Sequence, residues 1–291
     1  ADTISGGAGN DTIYGDDSLG TDSLGGNDSI DAGAGDDRVV AGAGNDNVLG
    51  GLGADTLLGG AGNDTIYGDD SLGTDSLGAA DSIDGGDGAD SILSGFGNDT
   101  VRGGAGNDTI NAGAGNDLID GGDGADRLLG GDGFDTFIAG SGDTIADFNT
   151  ATGQNLGDGN QSNNDFVDLS SYYNEANLAR WNAANPNQTY TYALSWMRAD
   201  QADNGRLDML NGANGLPNLT LTLQNNNEAV AGENLTFDNT NVVCFGSDAL
   251  IDTEHGLRAA GDLRIGDLVV TRDSGLQPVR WIGRRELDAA D

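Results

Sequence analysis

The sequence predicts a mainly β protein whose first half is a parallel β-roll, a sheet wound as a helix. The first observation is a nine-residue pattern that occurs eleven times, beginning with GGAGNDTIY at Gly6. The second is an aspartate followed two residues later by a large apolar residue, which indicates a short strand with one inward side chain. The third is the pair of glycines between strands, which permits tight turns at positive φ and favours a wound sheet over separate hairpins.

Each copy has the same nine positions: two small residues, a spacer, Gly, a spacer, Asp, a spacer, a large apolar residue and a final spacer. We number these positions 1 to 9. The aspartates at position 6 are Asp11, Asp37, Asp46, Asp55, Asp64, Asp90, Asp99, Asp108, Asp117, Asp126 and Asp135. The inward residues at position 8 are Ile13, Val39, Val48, Leu57, Ile66, Ile92, Val101, Ile110, Ile119, Leu128 and Phe137.

The stacked aspartates predict a bound cation. Neighbouring coils lie about 4.8 Å apart, and two carboxylates at that distance repel by about 3.5 kcal/mol at an effective dielectric constant near 20. Calcium accepts six to eight oxygen ligands, magnesium demands a stricter octahedron, and zinc prefers nitrogen and sulfur. We therefore expect several calcium ions, held by the eleven aspartates and by turn carbonyls, among them those of Gly7, Gly9, Gly60, Gly62, Gly104 and Gly106.

The apolar core of the repeats is small. One buried Ile or Val contributes at most about 2 kcal/mol per repeat, whereas ordering each residue costs about 1 to 2 kcal/mol of backbone entropy. The sequence therefore predicts that the repeat region is a disordered, Gly- and Asp-rich chain without calcium.

The pattern GGxGxDxUx resembles the calcium-binding repeat of RTX proteins. The resemblance implies a calcium-bound β-roll in a protein of a Gram-negative bacterium, exported unfolded by type I secretion and folded by millimolar calcium outside the cell. The implied location is extracellular or at the cell surface. Calcium sites of extracellular modules bind at about 0.1 to 1 mM, so they would be empty in cytosol.

Composition limits the partners. The formal charge is −36, which excludes nucleic acid and disfavours anionic membrane surfaces. A single cysteine, Cys244, rules out an internal disulfide, and no stretch is long and apolar enough to span a membrane. Residues 1–5 match the end of a repeat rather than a signal peptide, so we expect the chain to be a fragment with residues upstream. The cell-surface or matrix partner and self-association stay open.

An irregular piece occurs twice in the array. Residues 6–25 recur unchanged as residues 59–78, and each copy leads into a segment, 15–31 or 68–84, that departs from the repeat. Each segment is either a distorted coil or a protruding loop. Its additional carboxylates either bind calcium or are solvated; they belong to Asp16, Asp17, Asp69 and Asp70.

The composition changes after the array, which we assign to residues 1–148. Residues 144–148 predict an exit strand that covers the last open edge, and 150–164 predict a loop. Within the segment 149–241, helical apolar spacing over 174–184 stops before Pro186. The segment also predicts strands at 165–169 and 219–223, a second helix at 192–202 and an extended stretch at 234–243. Its aromatic residues form either a small mixed α+β packing cap, which we favour, or a ligand site.

Residues 242–291 resemble the beginning of an all-β Hint (hedgehog/intein) domain. The matching residues are Cys244, Phe245, Ile251, Thr253, Gly256, Leu263, Arg264, Gly266, Asp267, Leu268, Val269, Thr271, Pro278, Trp281, Ile282 and Gly283. The resemblance implies that Cys244 is the nucleophile, attacking the carbonyl of Val243 to form a thioester. The chain ends before the Thr-x-x-His block that polarises the scissile amide in this family, so we expect cleavage only in a full-length parent.

The leading hypothesis is a secreted, calcium-folded repeat protein with a structural, adhesive or matrix role and a C-terminal autoprocessing module. The alternative is the secretion and folding module of a hydrolase whose catalytic domain lies upstream. This chain contains no GxSxG, and its single histidine, His255, cannot form HExxH. Some RTX-like solenoids bind ice through threonines at repeat position 3, where this chain has none.

Overall fold

The computed structural model describes residues 1–16, 25–69, 78–148, 165–225, 227–235, 240 and 242, and the backbone of four strands between 250 and 278. Several predictions lie outside the described residues: Cys244, Val243 and His255, the carboxylates of Asp17 and Asp70, the loop at 150–164, and most of the extended stretch at 234–243.

The first part of the chain forms the predicted parallel β-roll. Successive strands alternate between two sheets, and every neighbour within a sheet is parallel. The fourteen strands are β1 Thr3–Ala8, β2 Thr12–Tyr14, β3 Ser29–Ala34, β4 Arg38–Ala43, β5 Asn47–Leu52, β6 Thr56–Ala61, β7 Thr65–Tyr67, β8 Ser82–Asp87, β9 Ser91–Phe96, β10 Thr100–Ala105, β11 Thr109–Ala114, β12 Leu118–Asp123, β13 Arg127–Asp132 and β14 Thr136–Ile138. Odd-numbered strands build one sheet and even-numbered strands the other.

The position-8 side chains form a single file between the two sheets. Ile30 of β3 lies opposite Val48 of β5, one coil of 18 residues further on. All eleven predicted inward residues are buried, with at most 6 % of their surface exposed. This burial confirms the prediction that each short strand of period two turns one side chain toward the partner sheet.

Each irregular piece lengthens the spacing between two paired strands by eight residues. Ile4 pairs with Ile30 and Leu57 with Ile83, an offset of 26 residues where regular coils have 18. The added residues, 17–24 and 70–77, read DSLGTDSL in both copies and stand between positions 2 and 3 of a repeat. The strands on either side of each insertion therefore stack directly on one another, while residues 17–24 and 70–77 themselves lie outside the described residues.

The carboxylates that precede these insertions bind the backbone of the next coil. The Ala43 amide donates to Asp16 Oδ2 at 2.6 Å, and the Phe96 amide donates to Asp69 Oδ2 at 2.5 Å. Since Asp16 and Asp69 stand at position 2, where regular repeats have Gly, their side chains replace contacts made elsewhere by backbone.

Strands from the segment after the array continue both sheets. Strand β15 Thr144–Ile145 joins the odd-numbered sheet, and β16 Phe166–Val167 pairs in parallel with β14. Strand β18 Leu221–Asn225 pairs with β15 and is flanked by β17 Arg206–Leu207 and β19 Glu228–Ala229. The last edges of the roll are thereby covered, as predicted for the exit, which limits pairing with other chains.

Two helices complete the cap. Helix α1, Glu175–Ala184, begins after Asn174, whose side chain accepts from the Asn177 amide, and α2 spans Ala193–Asn204. The aromatic residues pack against one another: Trp196 lies 5.1 Å from Tyr173 and 5.4 Å from Trp181 between ring centroids. This mutual packing agrees with the packing-cap interpretation.

The described C-terminal strands form a separate antiparallel sheet. They are β20 Leu250–Thr253, β21 Gly256–Ala259, β22 Leu268–Thr271 and β23 Gly275–Pro278, in the order β21-β20-β22-β23. The sheet agrees with the predicted all-β character of this segment. Among the described residues, no helix has the length and apolarity that crossing a membrane requires.

Candidate calcium sites

The position-6 aspartates form two ladders, one along each edge of the roll. In each rung, the Oδ1 atom of an aspartate accepts the backbone N–H of the aspartate one coil earlier; Asp46 N donates to Asp64 Oδ1 at 2.8 Å. Ladder A comprises Asp2, Asp28, Asp46, Asp64, Asp90, Asp108, Asp126 and Asp143. Ladder B comprises Asp11, Asp37, Asp55, Asp81, Asp99, Asp117, Asp135 and Asp165.

All eleven aspartates predicted as ligands lie in these ladders. The structure adds Asp2, Asp28, Asp81, Asp143 and Asp165, which lie outside the eleven regular repeats and were not among the predicted ligands. Each added aspartate is followed two residues later by Ile or Val. That Asp-x-apolar pair is the signal by which the sequence could have identified all five.

In most of these aspartates, the second carboxylate oxygen has no hydrogen-bond donor. Among the described residues, thirteen buried Oδ2 atoms lack a partner, those of Asp11, Asp28, Asp37, Asp46, Asp55, Asp64, Asp81, Asp90, Asp99, Asp108, Asp117, Asp126 and Asp135. Burying an ionised carboxylate without a partner is strongly unfavourable. A row of such oxygens therefore indicates a row of cations.

A backbone carbonyl approaches each of several unpaired oxygens. A Cβ atom built on Gly103 would lie 2.5 Å from Asp108 Oδ2 and 2.5 Å from the carbonyl oxygen of Gly121 in the next coil. The same pair of contacts recurs at Gly85, from Asp90 Oδ2 and Gly103 O. Carboxylate and carbonyl oxygens from adjacent coils thus converge, and hard oxygen ligands of this kind suit calcium.

The predicted turn carbonyls also lie between coils. Their glycines have φ values between 104° and 145°. Each carbonyl oxygen faces the equivalent glycine of the next coil so closely that a Cβ there would collide with it; the six are Gly7, Gly9, Gly60, Gly62, Gly104 and Gly106. The position-1 carbonyls, such as that of Gly121, were not predicted, because the sequence does not show which carbonyl points along the stack.

A third ladder, made of exposed asparagine side chains, was not predicted from the sequence. Asn45 N donates to Asn27 Oδ1 and Asn63 N donates to Asn45 Oδ1, both at 2.9 Å. These bonds run from the later coil to the earlier one, opposite to the aspartate ladders. The sequence signal is an asparagine at position 5, which is a spacer in the repeat pattern. It occurs at Asn10, Asn27, Asn45, Asn63, Asn98, Asn107 and Asn116.

Burial shifts the acidity of the ladder carboxyls. Desolvation raises the pKa of Asp81 to about 8 and that of Asp117 to about 7, despite an opposing hydrogen bond from a backbone amide. Neighbouring carboxylates raise both pKa values further. Desolvation likewise raises the pKa values of Asp64, Asp126 and Asp135 to about 7 and of Asp55 and Asp90 to about 6.

These shifts predict opposite pH effects with and without calcium. In the folded chain, burial raises the pKa values of seven ladder carboxyls to about 6 to 8, from an ordinary aspartate pKa of 3.8. Between about pH 4 and pH 8 the metal-free folded chain therefore binds more protons than the unfolded chain, and its free energy of unfolding falls as pH rises. Calcium needs ionised carboxylates, so its affinity rises over the same range.

Far-ultraviolet circular dichroism in calcium-free buffer tests this prediction. We expect more strand signal at about pH 4.5 than at about pH 8 without calcium, and the reverse order of thermal stability in roughly 5 mM calcium. Equal or greater strand content at the higher pH without calcium would contradict the prediction.

A third acidic group lies in the cap. Carboxylate oxygens of Asp200, Asp203 and Asp208 lie within 4.8 Å of one another. Asp200 is buried and accepts the amides of Asp208 and Met209, each at 3.1 Å, and the Tyr173 hydroxyl. These bonds give Asp200 a structural role, holding the chain after α2 against Tyr173.

Comparison with known families agrees with this geometry. The model for the RTX calcium-binding nonapeptide repeat, which spans four copies, matches residues 1–18, 22–48, 49–71, 77–101, 94–128, 102–137 and 120–143. The model for the Hint domain matches residues 243–291. No curated protein matches the chain significantly. The chain therefore contains RTX calcium-binding repeats, which bind several calcium ions, and a Hint domain near its C-terminus.

Proposed function

We propose that this chain is the calcium-triggered folding module of a secreted protein. Its repeat array is an extended polyanion at cytosolic calcium and becomes a β-roll after export. The observation that carries the proposal is the set of thirteen buried Oδ2 atoms without a donor. Those oxygens make the metal-free roll unfavourable at neutral pH, so calcium determines when the array folds.

The folded array serves a structural, adhesive or matrix role outside the cell. Seven strands, β1 to β13 of the odd-numbered sheet, stack at about 4.8 Å each and form a rod of roughly 30 Å. Ladders A and B run along both edges of this rod, and the cap covers its C-terminal end. A rod that is stiff only with calcium suits a spacer that forms after secretion.

A calcium titration tests the proposal. We expect a cooperative gain of strand signal with a midpoint of about 0.1 to 1 mM calcium, the range of extracellular modules, and little gain with magnesium at equal concentration. Magnesium is the matched control, since it supplies the same charge but demands octahedral geometry. A midpoint near 1 µM, or an equal response to magnesium, would show that the array also folds inside the cell and would refute the proposal.

For the Hint domain we propose self-cleavage before Cys244 in the full-length parent. The support is that the Hint match begins at residue 243 and that the resemblance of residues 242–291 to this family implies Cys244 as the nucleophile. The thiolate would attack the carbonyl carbon of Val243, and the peptide nitrogen of Cys244 would leave with a proton as the thioester forms. Water would then hydrolyse the thioester, which releases Val243 as a carboxylate and returns the Cys244 thiol. Mass spectrometry of the parent and its Cys244→Ala variant checks this step: cleavage should stop in the variant, and unchanged cleavage would exclude Cys244.

A further inference from the structure

Inside the roll, a glycine amide of one turn donates a hydrogen bond to a carbonyl oxygen of the next coil. The Gly51 amide donates to the Gly68 carbonyl at 2.8 Å, a bond from position 2 to position 1 of the following coil. The same position-1 carbonyl type approaches an unpaired aspartate oxygen, as Gly121 O does with Asp108 Oδ2 beside Gly103. One carbonyl thus accepts an amide and faces the cation position.

At the turn of ladder B that contains Gly130, a side chain accepts the glycine amides. The amides of Gly130 and Gly131 donate to Asp147 Oδ1 at 3.0 Å and Asp147 Oδ2 at 2.9 Å. Asp147 therefore accepts the bonds that a further coil would otherwise accept. It was not predicted as a ligand, because it lies outside the nonapeptide, in the segment 144–148 predicted as the exit strand, of which only Thr144–Ile145 forms a strand.

An unpaired oxygen points at the same turn. Asp135 is 1 % exposed, and its Oδ2 has no hydrogen-bond donor among the described residues. Of all atoms outside the immediate chain neighbours, Asp135 Oδ2 is the nearest to a Cβ built on Gly130, the glycine whose amide binds Asp147. A buried, donorless carboxylate oxygen and a second carboxylate thus meet at one glycine.

The two ladders can be compared at the same rung. The last aspartate of ladder A, Asp143, accepts the Asp126 amide at Oδ1, 3.0 Å, and the Gly140 amide at Oδ2, 2.6 Å. One rung earlier, Asp126 Oδ2 has no donor among the described residues, and neither does Asp135 Oδ2, one rung before Asp165 in ladder B. At the Asp135 turn, a second carboxylate, that of Asp147, accepts the two glycine amides.

We propose that Asp147 is a calcium ligand that, with Asp135, forms a terminal site at the C-terminal end of ladder B. The inference rests on the proposed calcium-dependent folding and adds a ligand outside the repeat. Because the site has a second carboxylate where inner turns have a neutral carbonyl, it attracts a cation more strongly through charge. It also links the last repeat to the cap, since the Asp135 amide donates to Asp165 Oδ1 at 3.1 Å.

Native mass spectrometry of the full chain at saturating calcium tests the site. Asp147→Asn keeps the side-chain size and removes the charge, and we expect it to bind one calcium ion fewer than the unsubstituted chain. Asp123→Asn is the matched control, because Asp123 is an exposed acidic residue of β12 whose loss changes the net charge equally. We expect no change in its calcium count. Equal counts for all three proteins would overturn the inference.

Anomalous diffraction from crystals of the unsubstituted chain in terbium or calcium gives an independent result, also if Asp147→Asn does not fold. A peak within coordination distance of both Asp135 and Asp147 carboxylates is expected. Peaks along the inner turns without one at Asp147 would overturn this inference and leave the proposed function intact. A folded chain without any bound metal would refute both.

Discussion

Removal of calcium with a chelator at neutral pH is expected to convert the repeat region from strand to coil. If about ten sites are each at tenfold excess of calcium over the dissociation constant, binding stabilises the fold by about 1.4 kcal/mol per site, on the order of 14 kcal/mol in total. That equals or exceeds the net stability of about 5 to 15 kcal/mol of most domains. Unpaired carboxylates in the metal-free roll increase the effect.

Hydrogen exchange resolved by segment measures this effect where it arises. The amides of Asp46 and Asp99, which donate to the next aspartate in their ladders, should be protected in calcium and exchange freely in chelator. Restoring calcium should restore protection, which serves as the control for irreversible damage. Protection that persists at these amides in chelator would contradict the prediction.

The substitution Gly104→Ala is expected to be among the most destabilising single changes in the roll. Gly104 has a φ of 111°, which costs an L residue about 1 to 2 kcal/mol. In addition, a Cβ there would collide with the carbonyl oxygen of Gly86 in the preceding coil. Relieving the collision requires separating two hydrogen-bonded coils, so we expect a total loss of about 4 kcal/mol or more.

Gly7→Ala is the matched control for this substitution. Gly7 occupies the same repeat position with a φ of 104°, but a Cβ there would meet nothing within 4 Å. Its cost should therefore be the backbone term alone, about 1 to 2 kcal/mol. Urea unfolding of both variants at one fixed calcium concentration measures the difference, and equal losses would show that close coil stacking does not limit residue size.

The strands, the core and the metal followed from local patterns. The Asp-x-apolar pair between glycines determines that Ile66 and Leu128 face inward, since a strand of period two leaves no other arrangement. The spacing of the aspartates determines their stacking, and oxygen ligands without His or Cys determine calcium. Helix α1 followed from apolar spacing and Pro186, with Asn174 as its N-cap.

What the sequence by itself determined is therefore the repeating unit: a short strand, a glycine turn and a carboxylate that needs a cation. Only the tertiary structure decided that the strands flanking each insertion stay in register, that Asp143 and Asp165 complete the ladders, and that Asp147 accepts the glycine amides of the last turn. The physical reason is that these contacts join residues 16 to 30 positions apart. Which residues meet depends on the register of stacked coils, and a local pattern does not contain that register.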